Sequence, residues 1–230
     1  MRYSANLNVI VKSLEKATAH MSRDFIELEN LQSNSASADR FSVSCYNRVK
    51  QVLVDDLSKV RPDYNIIFSD GQKMIRKENA EYSYIIHVVD GFDNLKRSNP
   101  DFTVAIALEH KAPNGQKEAI SLAIGKVFGG ESYYCEKGFG AFLNNRRIRT
   151  SKRTSGEVLV ATNDKSLLTP KEQLRSYGCK TLEIAYVASS RLEKAIYKQE
   201  EFELFKPFTL LVREAGGKIT EDDKTITISA

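Results

Sequence analysis

The sequence predicts an α+β fold in which helices and β-sheets pack as layers. Apolar residues recur at three- and four-residue spacing between residues 7 and 28, the pattern of a helix with one buried face. Five segments between residues 64 and 135 instead alternate with a period of two, as strands do. The last third of the chain mixes short helical and strand patterns. Elements of both kinds bury their apolar faces by stacking on one another, so a layered fold is expected.

The predicted helices are separated by recognisable stop signals. In chain order they cover residues 7–28, 45–57, 171–177, 182–190 and 207–215. A polar loop is predicted at residues 32–40, between the first two. The second helix has to end before Arg61-Pro62, because proline disfavours helical geometry in the preceding residue. The pair Gly216-Gly217 ends the last helix, as a left-handed C-terminal cap requires.

The predicted strands concentrate in the middle of the chain. They cover residues 64–68, 83–89, 102–108, 119–128, 131–135, 192–197 and 225–229. We expect an N-terminal α+β half over residues 1–150 that carries the functional loops. A C-terminal α/β half over residues 151–230 completes one compact unit.

Composition indicates an intracellular globular protein. Of the 230 residues, 41% are hydrophobic and 28% charged, and the net charge is +4. No apolar run approaches the roughly 20 residues of a membrane span, and no signal peptide is visible, so we expect a cytoplasmic protein. Cys45, Cys135 and Cys179 are odd in number and widely spaced, which argues against disulfides and a thiolate zinc site.

A basic cluster lies at residues 145–153 (NRRIRTSKR). Such a cluster is compatible with nucleic acid, with an acidic protein, or with a solvated turn and strand edge. Aromatic interleaving, an RNA-binding signature and a helix-turn-helix pattern are all missing from it. The sequence leaves these interpretations open.

Three blocks of sequence carry a resemblance to a known family. They are residues 102–149, which include FTVAIALEH and EKGFGAFLNNRRIR, residues 184–191 (IAYVASSR), and residues 210–217 (LLVREAGG). They resemble EKGxGAFLNxRRIRVS, LAYVAAGR and LIVREAGG of the inositol monophosphatase family, most closely its SuhB-type bacterial branch. The resemblance implies a layered αβαβα sandwich and a homodimer.

The resemblance also implies a magnesium site, because the family hydrolyses phosphate monoesters with two or three Mg²⁺ ions. Mg²⁺ prefers near-octahedral oxygen coordination, so several carboxylates have to surround it. The family takes them from a Glu-Glu pair after a strand, an Asp-Pro-Ile-Asp-Gly-Thr loop, and a Trp-Asp pair at the start of a late helix. In this chain the Glu-Glu pair falls on Ser69 and Asp70, the loop reads HVVDGF over residues 87–92, and the Trp-Asp pair falls on Glu203 and Leu204.

Further family positions are also changed. Tyr46 stands where the resemblance places an Asp near the start of the second helix, and Tyr197 stands in place of a substrate-contacting Glu. Phe92 replaces the threonine that bears on water activation. We therefore assign no catalytic residue with certainty; the family's catalytic positions fall on Ser69, Asp70 and Phe92.

Asp90 is the one family ligand that this chain clearly retains. The further metal candidates are Asp70, His87, the Val89 backbone and Asp93, and the candidate phosphate contacts are the backbones of Gly91 and Phe92. Structural roles are open for the same residues: His87 as a hydrogen-bonded, partly buried histidine, and Asp70 and Asp90 as turn residues. We expect no cofactor, although the family uses Mg²⁺.

Three functions compete. The first is a catalytically impaired or inactive relative that acts as a binding or regulatory protein, with a transcription-machinery partner by family analogy. The second is a divergent metal-dependent phosphomonoesterase that hydrolyses inositol phosphate or a related sugar phosphate. The third is a sugar-phosphate binder that uses backbone amides and Lys96-Arg97 without hydrolysis.

Overall fold

Two mixed β-sheets with helices between them and on one outer face form the fold. The computed structural model describes residues 4–153 and 156–230, and within these ranges it contains six α-helices. They are α1 (Ala5–Thr18), α2 (Met21–Leu31), α3 (Ser35–Val60), α4 (Phe92–Lys96), α5 (Lys180–Ala188) and α6 (Leu210–Glu214).

The first sheet has eight strands in the order β2-β1-β3-β4-β5-β6-β7-β8. They are β1 (Asn65–Phe68), β2 (Lys73–Met74), β3 (Tyr82–Asp90), β4 (Thr103–Lys111), β5 (Lys117–Lys126), β6 (Glu131–Glu136), β7 (Gly140–Leu143) and β8 (Arg146–Arg147). From β3 to β8 the strands are antiparallel neighbours in chain order, whereas β1 runs parallel to β3. The parallel pair brings the ends of β1 and β3 to one edge, where the loops predicted to carry function begin.

The second sheet has five strands in the order β10-β9-β11-β13-β12. They are β9 (Val158–Ala161), β10 (Glu172–Arg175), β11 (Lys194–Lys198), β12 (Lys218–Glu221) and β13 (Thr225–Ser229). Strand β9 lies parallel to β10 and β11, and β13 is antiparallel to its neighbours.

Helices separate the two sheets. Helices α5 and α6 contact strands of both sheets, and α1 and α3 pack on the other face of the first. Two apolar clusters follow from this arrangement, one between the sheets and one under the outer helices. The α+β fold of layered helices and sheets is confirmed. The implied fifth layer is reduced, since residues 162–171 between β9 and β10 carry only the 3₁₀ turn Lys165–Leu167.

The N-terminal helices differ from the prediction in two ways. The predicted helix over residues 7–28 is two helices, α1 and α2, that break at Ala19-His20 and share one buried apolar stripe. The predicted loop over residues 32–40 is wrong, because α3 begins at Ser35. Asn34 caps it, and its side-chain oxygen accepts from the Ser37 N–H at 3.1 Å. Within residues 35–40 only Ala38 is buried, so the first part of this helix lacks the apolar pattern by which helices are predicted.

Residues 171–177 are not helical either. Strand β10 occupies this segment, and its four residues pair in parallel register with β9. The partner strand, β9, lies more than ten residues earlier in the chain, so the local sequence pattern did not predict this strand. The predicted end of α6 is confirmed: Gly216 has a φ of +93° and donates its N–H to the Arg213 carbonyl at 3.0 Å.

The remaining sequence predictions concern the cysteines, membrane spans and the division of the chain. The three cysteines are buried free thiols. Among the described residues, no helix has both the length and the apolar character needed to cross a membrane. The division at residue 150 stays a prediction.

Packing of α3 against the first sheet is tested by truncating one side chain. Leu53 is fully buried in the outer apolar cluster, so Leu53→Ala should lower the free energy of unfolding by about 2–5 kcal/mol. Val43 lies on the same helix and is 48% exposed, so Val43→Ala should change stability by no more than about 0.5 kcal/mol. Urea unfolding measures both, and equal losses would contradict this placement of the helix.

Candidate active site

An open cleft of about 420 Å³ lies at the edge where β1 and β3 end. Its lining residues are Ser69, His87, Val89, Asp90, Glu200, Glu201, Glu203, Leu204 and Phe205. The structure thus brings together four residues singled out after two strands and the two late positions, Glu203 and Leu204. Asp70, Asp93 and Phe92 do not line this cleft.

Asp90 holds the start of helix α5. Its Oδ2 atom accepts hydrogen bonds from the Thr181 N–H at 2.7 Å and the Thr181 hydroxyl at 2.8 Å, and the Cys179 thiol lies 3.4 Å away. The first N–H groups of a helix have no partner within it, so a carboxylate is well placed there. Within the described residues, Oδ1 of Asp90 accepts no hydrogen bond. This oxygen is therefore the one that Asp90 could offer to a ligand in the cleft.

Asp70 is engaged by neighbours on its own side of the sheet. Its Oδ2 lies 3.1 Å from the Lys50 ammonium and 3.2 Å from the Tyr46 hydroxyl, and Oδ1 accepts from the Gln72 N–H at 2.9 Å. Partial burial opposes ionisation, but these hydrogen bonds outweigh it and hold the pKa of Asp70 below its usual value. The ammonium of Lys50 therefore serves as the counter-ion of this carboxylate.

Two aromatic rings fill the space beside Asp70. Tyr46 and Phe92 meet edge to face, with ring centroids 5.7 Å apart. Burial, with help from the Asp70 charge, raises the pKa of Tyr46 to about 12, so its hydroxyl stays neutral and donates. Neither ring offers the charged oxygen that a hard dication prefers.

Gly91 sets the direction of the loop before α4. Its φ is +77°, a region that favours glycine, and a Cβ there would lie 2.9 Å from the Asp101 carbonyl oxygen. The backbone conformation therefore requires glycine at position 91, which supports a structural role for Asp90-Gly91 in the turn. Phosphate contact by the Gly91 and Phe92 backbones stays a prediction. Asp93 is exposed on α4, away from the other candidates.

His87 is a buried, neutral histidine. It is 1% exposed, and its Nε2 lies 3.0 Å from the Leu204 carbonyl oxygen. Because a carbonyl only accepts, Nε2 carries the proton. Burial lowers the pKa of His87, although Asp90 opposes this shift. The ring also packs on Phe205, at 4.2 Å between centroids, and so serves the core between the sheets.

A second cavity of about 230 Å³ adjoins the first and contains residues that the sequence analysis missed. The Lys180 ammonium lies 3.2 Å from the Glu201 carbonyl oxygen, 3.4 Å from the Glu201 carboxylate and 5.0 Å from the Phe205 ring centroid. Glu183 accepts from the Tyr197 hydroxyl and from the Tyr177 N–H at 3.0 Å. The only signal for them was a polar segment, CKTLE, just before the family block IAYVASSR.

These residues do not fit a magnesium cage. Within residues 4–153 and 156–230, no three His, Cys, Asp or Glu side chains are grouped to hold a metal ion. Asp90 offers one oxygen and Asp70 is paired with Lys50. His87 presents a protonated nitrogen to a carbonyl. Two bridged dications would need a closer grouping of Asp90, Glu200, Glu201 and Glu203 than the described residues show, although all four line the cleft.

The layered fold and the position of this cleft define a class of protein. The model of the inositol monophosphatase family matches residues 4–225, nearly the whole chain. The chain therefore belongs to the inositol monophosphatase family.

Relatives of two kinds are similar to it. An inositol-1-monophosphatase of Rhizobium meliloti (strain 1021) is 27% identical over 237 residues, which cover 96% of this chain and 87% of the relative. A putative Nus factor SuhB of Neisseria meningitidis serogroup A is 29% identical over 236 residues, which cover 94% and 86%. The solved structure of extragenic suppressor protein suhB from Bartonella henselae has a TM-score of 0.81 at 25% identity, over 98% of this chain and 94% of that one. The family and the SuhB resemblance seen in the sequence are confirmed.

The buried Glu183 gives the site a measurable pH dependence. Burial raises the pKa of Glu183 to about 7, against the opposing hydrogen bonds from Tyr197 and Tyr177. The folded state therefore binds this proton more tightly than the unfolded state, and the stability from Glu183 is lost as pH rises from about 4.5 to about 7. Relative to Glu183→Gln, the wild type should lose up to about 3 kcal/mol across this window.

Urea unfolding at several pH values on either side of this window measures the difference. His87, whose pKa is lowered, contributes the opposite slope in both proteins and cancels. Glu200→Gln, at an exposed residue of the same cleft, should run parallel to the wild type. Parallel profiles for Glu183→Gln and wild type would contradict the assignment.

Proposed function

We propose that this chain is a non-catalytic member of its family that acts as a binding or regulatory protein. The observation that carries the proposal is the use made of Asp90. The one clearly retained family ligand accepts the Thr181 N–H and hydroxyl with Oδ2 and caps α5, so it acts in the fold itself. A metal would have to share this carboxylate with the helix.

The charges around the cleft support the same proposal. Lys50 pairs with Asp70, and Lys180 pairs with Glu201, so two ammonium groups lie beside carboxylates at the former metal site. Each ammonium neutralises one negative charge that a dication would otherwise attract. The apolar pair Tyr46–Phe92 replaces an acid and a hydroxyl of the family pattern.

The names of relatives suggest the kind of partner. Proteins of Xylella fastidiosa and Pseudomonas aeruginosa that are 28% and 27% identical to this chain are named Nus factor SuhB. By this likeness we propose a partner in the transcription machinery and a cytoplasmic location. A homodimer is part of the same proposal.

One observation favours the alternative, a divergent metal-dependent phosphomonoesterase. Asp90, Glu200, Glu201 and Glu203 all line the larger cleft, and Oδ1 of Asp90 is not hydrogen-bonded within the described residues. Because these side chains are not grouped to hold a metal ion in the described residues, the 3₁₀ turns that begin at Gln199 and at Glu203 would have to rearrange to bring them around a cation. A sugar-phosphate binder without turnover is less supported, because Lys96 pairs with Asp39 at 3.0 Å.

Calorimetry and a phosphatase assay separate these functions. We expect no Mg²⁺ binding tighter than about millimolar and no hydrolysis of inositol 1-phosphate, because Asp90 is shared with α5 and the other cleft carboxylates are not grouped around one point in the described residues. The inositol-1-monophosphatase of Rhizobium meliloti, assayed in parallel, is the positive control. Hydrolysis that depends on Mg²⁺ and is abolished by Asp90→Ala would overturn the proposal and establish the alternative.

The same variant tests the structural role of Asp90. Asp90→Ala removes the acceptor for both Thr181 donors, so it should lower the free energy of unfolding by about 1–3 kcal/mol without added metal. Asp93→Ala removes an exposed carboxylate nearby and should cost no more than about 0.5 kcal/mol. Equal effects of the two variants in urea unfolding would count against the capping role.

A further inference from the structure

An exposed aromatic side chain lies in a turn at the end of the first sheet opposite the cleft, and exposed cations that form no ion pair in the described residues lie along the neighbouring edge of the sheet. Strand pairing fixes this placement. Asp90 pairs with Thr103, Thr103 with Lys126, and Lys126 with Glu131, so these four residues share one end of the sheet. The β6–β7 turn follows Glu136 at the other end.

Phe139 is displayed at the tip of this turn. It is 70% exposed, the most exposed of the large hydrophobic side chains in the described residues. The turn that carries it is fixed, because the Glu214 carboxylate accepts the N–H groups of Gly138 at 2.8 Å and Gly140 at 2.7 Å. The two amides also offset the Glu214 charge. The backbone of this turn is therefore fixed, and the ring of Phe139 points away from the core of this chain.

Arginines lie directly beside Phe139. A Cβ at Gly140 would lie 2.8 Å from the Arg147 guanidinium, so this guanidinium rests on the glycine next to Phe139 in the chain. Arg147 and Arg149 flank Ile148, which is buried in the cluster between the sheets. Since side chains alternate along extended backbone, both arginines point away from that cluster.

Three exposed cations of this segment, Arg147, Arg149 and Lys152, form no ion pair within residues 4–153 and 156–230. Arg153 pairs with Glu193 at 3.6 Å, and Arg146 pairs with Leu143 across the two strands and so faces the opposite way from Arg147. Glu118 pairs with Lys137 at 2.6 Å and Glu214 holds the turn amides, whereas Glu136, at the end of β6, forms no ion pair in the described residues. We call Phe139, Arg147, Arg149 and Lys152 the basic edge.

We propose that the basic edge binds single-stranded nucleic acid, with Phe139 stacking on a base and the arginines contacting phosphates. Single strands are bound by cations that follow the backbone and by aromatic faces on which bases stack. An acidic protein could use the same charges and cover the ring, and the competition experiment below separates it from a single strand. This proposal goes beyond the function proposed for the cleft and uses no residue of it.

Fluorescence anisotropy with a labelled RNA of about 12 nucleotides tests the proposal. We expect Phe139→Ala to weaken binding about 5- to 150-fold, the range for loss of one base–aromatic stack. Arg147→Gln combined with Arg149→Gln should reduce the slope of log affinity against log salt by about 1.4, or 0.7 for each lost phosphate contact. Circular dichroism melting of each variant checks that these exposed substitutions leave the fold intact.

The chain offers matched controls. Ile75 is 57% exposed and Arg97 is exposed, both outside the basic edge, so Ile75→Ala and Arg97→Gln should leave RNA binding unchanged. Failure to bind RNA at about 50 mM salt, or binding that Phe139→Ala does not weaken, would overturn the proposal. Competition by polyglutamate or duplex RNA as strong as that by the single strand would overturn it in favour of a purely electrostatic surface.

Discussion

The hydrogen bonds from Thr181 to Asp90 connect the first sheet to the helix that lies between the two sheets. Asp90 ends a strand of the first sheet, and Thr181 lies in the first turn of the helix between the sheets, 91 residues later. The same helix carries Lys180 and Glu183, so its position decides where these side chains lie in the smaller cavity. A carboxylate at the start of a helix satisfies its free N–H groups and interacts favourably with its dipole. The fold thus gives this residue a structural use that does not depend on catalysis.

Around that contact, negative charge is balanced within the protein. Lys50 lies 3.1 Å from Asp70 and 4.2 Å from the centroid of the Phe68 ring, while Lys180 lies between Glu201 and two aromatic rings. An ammonium on a side chain is covalently attached, so it neutralises a neighbouring carboxylate at any metal concentration. Asp70 and Glu201 thus each have a counter-ion within the protein itself.

The sequence located the cleft because its residues lie at the ends of two predicted strands, at positions that the family resemblance marks. Ser69, His87 and Asp90 converge as expected from strand ends that meet at one edge. Their partners were not predictable, because Thr181 and Leu204 contact them across 91 and 117 residues, where no local periodicity reaches. The same reason explains β10, whose pairing with β9 overrode a helical pattern. Phe139 was missed beside the basic cluster because a hairpin, rather than sequence proximity, brings the ring next to Arg147.

The order of strands in the first sheet has a kinetic consequence. Strands β3 to β8 pair as neighbours along the chain, and Lys111 faces Lys117 across a tight turn, so each pairing closes only a short loop. Contact between Asp90 and Thr181 closes a loop of 91 residues, at an additional entropic cost of about 2 kcal/mol. We infer that the meander forms early during refolding and the cleft late, an order that pulsed hydrogen exchange of the β4 and α5 amides can follow. The region that the family uses for catalysis would then be the last part of this molecule to acquire its structure.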